Sequence, residues 1–265
     1  VLYTGYLEAL HRVAKGMLAT EYAVVQENGR PYSLLRLTTP GERRCTITAG
    51  FHGEEPAGPM SVLDHLTELV DHARARNVAL TVYPCINPSG FEAGHRYNAS
   101  GEQPNNDFIR YEVTPGTVVE EVEVGQPIHR WFLYDRGPKE TRALREDIHG
   151  RPTPDAALDL HQDAWIGMPC HYAYCFGARG PFAQLLQRGD SVVPVGRHVT
   201  VHDEHVTDAD GLLVHHDGSI TDYFHRRGVP WTAVLETSTA TPLAQAAHVN
   251  LLWMKAFVDF AADVK

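Results

Sequence analysis

The stretch CTITAGFHGEEP, residues 45–56, decides how the rest of the chain reads. Its first half is β-branched and alternating through Thr46, Ile47 and Thr48, the pattern of a strand. From Gly50 to Pro56, glycine and proline punctuation marks a loop leaving the strand end. His52 and Glu55 lie three apart in that loop, so an imidazole and a carboxylate can face one ion from a tight turn. Glu54 competes with Glu55 for that place, and the three-residue spacing favours Glu55. An open α/β sheet keeps its site where strand ends feed such loops.

Working outward, residues 58–75 carry Met60, Leu63, Leu66, Leu69 and Val70 on one helical face, and 78–83 (VALTVY) form an apolar strand. Strand, helix, strand in this order is a βαβ crossover, which favours parallel pairing with helices on both faces. The expected architecture is therefore one three-layer α/β/α domain over residues 1–265, with a mixed, largely parallel sheet. Upstream, the pattern predicts a helix over 4–18 and a strand over 32–37, joined to the 45–49 strand by a hairpin or short loop at Pro40-Gly41. Residues 87–107, rich in Gly, Asn, Pro and Ser, form an irregular segment of a length that usually serves function.

Residues 114–136 read as an insertion, with an edge strand at 118–124 and a helix or strand at 128–134. Helices are expected at 139–149, 182–188, 220–226 and 242–264. Strands are expected at 156–160, 171–176, 198–202 and 231–235.

Composition limits the function classes. The 265 residues are 21% charged and 43% hydrophobic, ordinary for a globular chain, and no apolar run approaches the roughly 18 residues of a membrane span. A net charge of -10 argues against a non-specific nucleic-acid binder. Cys45, Cys85, Cys170 and Cys175 include no CxxC pair and read as buried thiols. The opening VLYTGYLEALHRVA is an amphipathic helix pattern and not a secretion signal, which predicts a cytoplasmic location. Sixteen histidines make a metal site worth seeking.

Three strand ends present polar groups: His52 with Glu55, His161, and Glu236. Two histidines and a carboxylate are a ligand set of catalytic zinc, which leaves a fourth position open. A further carboxylate must serve as general base, and Glu236 fits that role. Asp163 and Asp107 are placed to orient a ligand imidazole. His198, His202 and His205 fit a second metal and, equally well, alternation on a strand followed by a loop.

At these residues the sequence resembles the zinc carboxypeptidase family of carboxypeptidase A-like metallopeptidases. HGEE at 52–55 resembles the family's HxxE, NPSGFEAGHRYN at 87–98 its NPDG…R segment, and DLHQ at 159–162 its third-ligand strand end. GSITDYFHRRGVPWTAVLE, 218–236, resembles the segment that leads to the family's catalytic glutamate. The motifs occur in family order across most of the chain. The resemblance implies one Zn2+ held by His52, Glu55 and His161, Glu236 as general acid/base, and Arg96 polarising the scissile carbonyl. It implies an amide-cleaving metallocarboxypeptidase-like hydrolase acting on a peptide. The succinylglutamate desuccinylase and aspartoacylase relatives, with similar HGxE and NP…R motifs, imply the alternative of an N-acyl amino acid deacylase. A binding protein with a decayed site is the third reading, and retention of Glu236 speaks against it.

Two departures bear on the substrate. Where the family has NRNF, this chain has Asn105-Asn106-Asp107-Phe108, so the arginine that grips a terminal carboxylate is missing. Arg110, Arg179 and Arg226 are substitutes that sequence alone does not rank. In place of the family's substrate-binding tyrosine stands GLLVHHDGSI, which offers His215 or His216. Ile220 and Thr221 resemble the specificity-pocket stretch and suggest an uncharged substrate side chain.

Overall fold

In the computed structural model, which describes residues 2–201 and 205–264, the 45–49 run forms the end of strand β3 (Arg43–Ala49). β3 lies in the middle of an eight-stranded sheet. The other strands are β1 (Leu18–Glu27), β2 (Arg30–Thr38), β4 (Val78–Tyr83), β8 (Ala156–Asp163), β9 (His171–Phe176), β12 (Leu212–Leu213) and β13 (Trp231–Ser238). Their order is β1-β2-β4-β3-β8-β13-β9-β12. The central pairs β4/β3, β3/β8 and β8/β13 are parallel, and the β1/β2, β2/β4 and β13/β9 pairs are antiparallel. The sheet is thus mixed and parallel at its centre, as the crossover from β3 through α2 (Ala57–Ala75) to β4 requires.

Strand alternation sorts side chains between the two faces. Ile47, Leu158, Leu160, Ala233 and Leu235 pack in a large apolar cluster with α1 (Tyr3–Val13), α2, α5 (Arg179–Gly189) and α7 (Leu243–Ala262). On the other face a smaller cluster joins Ala157 to α4 (Lys139–His149), α6 (Ile220–Arg226) and β5 (Ile109–Thr114). Thr48, Asp159, His161 and Glu236 share the parity of that second face. The parallel register sets Thr48 beside Asp159 and His161 beside Glu236. A slip of one residue in either pairing would send these groups into the apolar layer.

The outer sheet departs from expectation. The helix ends at Val13, and the following residues form β1, an edge strand whose mixed exposure lacks clean alternation. β1 returns into β2 through Asn28-Gly29, with φ of 49° and 76°, the left-handed pair of a two-residue hairpin. Pro40-Gly41 makes no hairpin: β2 pairs with β1 and β4, whereas β3 pairs with β4 and β8. The segment 87–107 contains a short helix, α3 (Pro88–Ala93), whose first turn is capped by the Asn87 side chain accepting from Gly90 N–H at 2.9 Å. The insertion is a three-stranded antiparallel sheet of β5, β6 (Thr117–Val119) and β7 (Arg130–Leu133), so 128–134 contributes a strand. The expected 198–202 strand is only Thr200–Val201 among the described residues; His198 has φ of 54°, and His202 lies outside the described residues. The four cysteines are buried and free. No helix among the described residues is long and apolar enough to cross a membrane.

One buried carboxyl gives the fold a pH dependence. Glu140 is fully buried on α4, accepts from Asn98 Nδ2 at 3.0 Å, and is pushed up to about 7 by burial, with the nearby Glu27 charge adding to the rise. In the unfolded chain it ionises near 4.5. The folded carboxyl holds its proton longer, so its contribution to stability is full below 4.5 and is lost as pH rises through about 7. Glu140→Gln should therefore be more stable than wild type at pH 8, by on the order of 2–3 kcal/mol, and equal to it near pH 4. Urea unfolding at the two pH values checks this.

Candidate active site

The loop after β3 brings two side chains back over the sheet end. Gly53 lets it do so, because a Cβ there would stand 1.9 Å from the Gly90 carbonyl carbon at the start of α3. His52 Nδ1 lies 2.6 Å from Glu55 Oε1, and His161 Nδ1, from the end of β8, lies 3.0 Å from Glu55 Oε2. Gln162 N–H donates to the same oxygen at 3.0 Å. One ligand atom from each of His52, Glu55 and His161 lies within 4.8 Å of the others, and all three residues are buried. Glu54 is 33% exposed, lies outside this group, and shares Arg96 Nη1 with Glu55 at 3.4 and 3.3 Å.

The imidazoles and carboxylates of this cluster act on one another's charge. Burial pushes the His161 imidazole down, yet the Asp159 and Glu55 carboxylates together hold it well above its ordinary value. Burial alone would raise Glu55, but the two imidazoles hold it well below the usual carboxylate range. Two imidazole nitrogens and a carboxylate, with no fourth His, Cys, Asp or Glu in the group among the described residues, match an open zinc site. The residues present fit that ion.

Asp159 was not singled out from sequence, although DLHQ contains it. Its Oδ2 is 3.0 Å from His161 Nε2, and its Oδ1 accepts the Thr48 hydroxyl at 2.7 Å. This pair fixes the imidazole with Nδ1 turned toward Glu55. The signal was available in strand alternation, since residues two apart share a face. Asp163 accepts instead from Tyr172 Oη at 2.7 Å and Trp165 N–H at 2.6 Å, and Asp107 pairs with Arg110, so neither orients a cluster histidine. Asp159→Asn is expected to weaken zinc binding about 10- to 100-fold, read by competition with a chromogenic chelator.

Glu236 completes the strand-end group. It is the register neighbour of His161, and its Oε2 is buried without a hydrogen-bond partner. Burial drives its carboxyl well above the ordinary range; the His161 charge opposes this, and Glu55 and Asp163 reinforce it.

A cavity of about 240 Å3 opens over these groups, lined also by Arg96, Asn105, Asn106 and His215. Asn105 and Asn106 each present a buried Oδ1 without a partner. His215 Nε2 meets Glu121 at 3.1 Å, and its ring lies 4.5 Å from that of His205. His216 is tied to Asp222 at 2.9 Å, against Phe176 and His225, and does not line the cavity.

Ile220 corrects the sequence reading. It is fully buried in the second apolar cluster, whereas its neighbours Ser219 and Thr221 line the cavity. Successive helical side chains diverge by about 100°, so the start of α6 turns Ile220 inward between them. The three arginines considered as carboxylate grips are also placed elsewhere. Arg110 pairs with Asp107 and Glu120 beneath the Tyr134 ring, Arg179 with Asp208, and Arg226 with Tyr111 and Asp222.

Comparison with known proteins finds relatives of the same fold. Residues 42–124 match the succinylglutamate desuccinylase/aspartoacylase catalytic domain family, a span that contains His52, Glu55 and Arg96. Carboxypeptidase 2 of Trichophyton rubrum is 30% identical over 120 residues, 40% of this chain. The curated relatives are much longer proteins, of which the matches cover 28% and 22%. A candidate metallopeptidase structure from Shewanella amazonensis is 27% identical, with a TM-score of 0.73 over 98% of this chain and 92% of that one. A metallo-carboxypeptidase from Burkholderia cenocepacia, 17% identical, shares the fold with a TM-score of 0.64 over 97% and 68% of the two chains. By motif order, fold and these likenesses, the chain is similar to the zinc-carboxypeptidase-like hydrolases, the group that includes the succinylglutamate desuccinylase/aspartoacylase relatives.

Proposed function

We propose that the chain is a single-domain, zinc-dependent hydrolase that cleaves an amide bond of a peptide or acyl-amino-acid substrate. The observation that carries this is Glu236: a carboxylate paired in register with His161, lining the same cavity as His52 and Glu55, with one oxygen buried and without a hydrogen-bond partner. Zinc bound to His52, Glu55 and His161 would supply a Lewis acid that makes water acidic near neutral pH and polarises a carbonyl. Glu236 takes the proton of the attacking water and passes it to the leaving amine nitrogen. Its place beside His161 in the β13/β8 register and on the cavity wall suits it to that transfer. Arg96, beside Glu55 and on the cavity wall, donates to the carbonyl oxygen as negative charge develops there. Asp159 holds the His161 tautomer.

Within this reading, the match to the desuccinylase/aspartoacylase family and the neutral Asn106 support an acyl-amino-acid substrate as a second form of the same chemistry. Incubating the zinc-loaded protein with blocked peptides, free-carboxyl peptides and N-acyl amino acids tests both. Amide cleavage that is lost on chelation and restored by zinc is the expected result. Efficient trimming of ordinary C-terminal residues would remove the deacylase form, and no cleavage of any amide would remove the hydrolase reading.

A further inference from the structure

A second cavity, of about 200 Å3, shares no lining residue with the first. β3 reaches it at Arg44, near the strand's start, and leaves for His52 at its other end. The floor is the sheet face that carries Thr48 and Asp159. Register pairs Thr38 of β2 with Thr81 of β4, and Thr81 with Thr46 of β3, so three hydroxyls stand in one row across three strands. Thr46 is 7% exposed, and its hydroxyl has no hydrogen-bond partner among the described residues. That oxygen is not sealed off by protein and opens on the cavity the residue lines. Valine has the same shape and suits a strand floor better, because a hydroxyl taken out of water without a partner costs free energy. An unpartnered buried hydroxyl on a cavity floor points to an occupant that accepts from it.

The charge around this row has one sign. Arg151 comes from the turn after α4, Arg227 from the end of α6 and Arg44 from β3, and no aspartate or glutamate is among the described lining residues. The Arg44 guanidinium has no partner among the described residues: Asp155 accepts its backbone N–H at 2.8 Å and meets the side chain of Arg43 at 3.7 Å. Arg227 donates to the neutral Tyr223 hydroxyl at 2.8 Å. Arg151 meets Asp147 at 3.1 Å, but that carboxylate is shared with Arg36. A chain with a net charge of -10 thus gathers uncompensated guanidinium groups at one cavity. Ile148 and Phe224, from the second apolar cluster, complete its wall.

We propose that this second cavity binds the phosphate group of a phosphate monoester, with Arg44 and Arg227 as its charged partners and Thr46 donating from the floor. Donors reach the cavity from the sheet below and from helix and turn above. That spread suits the three terminal oxygens of a tetrahedral anion better than the planar pair of a carboxylate. The apolar wall of Ile148 and Phe224 receives the organic part of the ester. The site stands apart from the hydrolytic groups and does not depend on the hydrolase reading.

Calorimetric titration of the zinc-loaded protein with phenyl phosphate, benzoate and benzyl alcohol tests this. Phenyl phosphate should bind one per chain, about 10-fold or more tighter than benzoate, with benzyl alcohol weakest. Thr46→Val, which keeps the shape of the floor, should weaken phenyl phosphate about 5- to 10-fold, and Arg44→Gln or Arg227→Gln about 10- to 100-fold. Arg44 is exposed, so its variant folds, and an unchanged urea midpoint and zinc content check this. Phenyl phosphate held by the zinc would be lost on chelation and untouched by the three substitutions, and that result overturns the proposal. Binding no tighter than that of benzoate, or no measurable binding to wild type, overturns it as well. Each of these failures leaves the hydrolase reading standing, since no residue of this cavity lines the other.

Discussion

Glu236→Gln is expected to lower amide turnover by about 10²- to 10⁴-fold while the protein still binds one zinc per chain. The substitution keeps shape and removes the proton acceptor. Glu236 lies beside the ligand cluster in the β13/β8 register and outside the group of ligand atoms, so zinc binding should survive. The same change has a stability signature of defined sign. Burial raises the folded carboxyl of Glu236 above its unfolded value, so wild-type apoprotein loses stability as pH rises through the folded value. The glutamine protein has no such loss. Turnover, zinc content and apoprotein unfolding against pH together separate a catalytic group from a ligand. A Gln variant of full activity would sink the assignment.

Glu55→Gln should instead empty the site. Its carboxylate accepts from or neighbours His52, His161, Gln162 N–H and Arg96, and it is 4% exposed. Removing one charge from such a buried group leaves the imidazoles and guanidinium without their counter-charge, at a cost of about 3 kcal/mol. The expected result is less than one zinc per ten chains after dialysis against a mild chelator, alongside a lower urea midpoint for the apoprotein. Glu54→Gln, one residue away but a third exposed, should change neither. Retention of zinc in Glu55→Gln and its loss in Glu54→Gln would exchange the roles of the two carboxylates.

Much of the candidate site was legible because its spacing is local. His52 and Glu55 are bound to one turn, and the ends of β8 and β13 could be read from apolar runs that stop at His161 and Glu236. Asp159 is equally local, but an acidic residue two before a histidine has no meaning until the strand's face is known. The β1/β2 hairpin carried its Asn28-Gly29 signal, but an edge strand with little alternation hid the first of its two strands.

The sequence by itself determined the β3–α2–β4 crossover, the parallel centre of the sheet, and which three strand ends bear imidazole and carboxylate. Those follow from periods of two and 3.6 residues and from a ligand pair within one turn. Only the tertiary structure decided that Ile220 turns into the apolar layer, that Arg110 is spent within the insertion, and that Thr38, Thr81 and Thr46 stand in one row. Each of these depends on backbone pairings between distant segments, whose register and neighbours are set by packing the whole sheet and its insertion together and not by any local period.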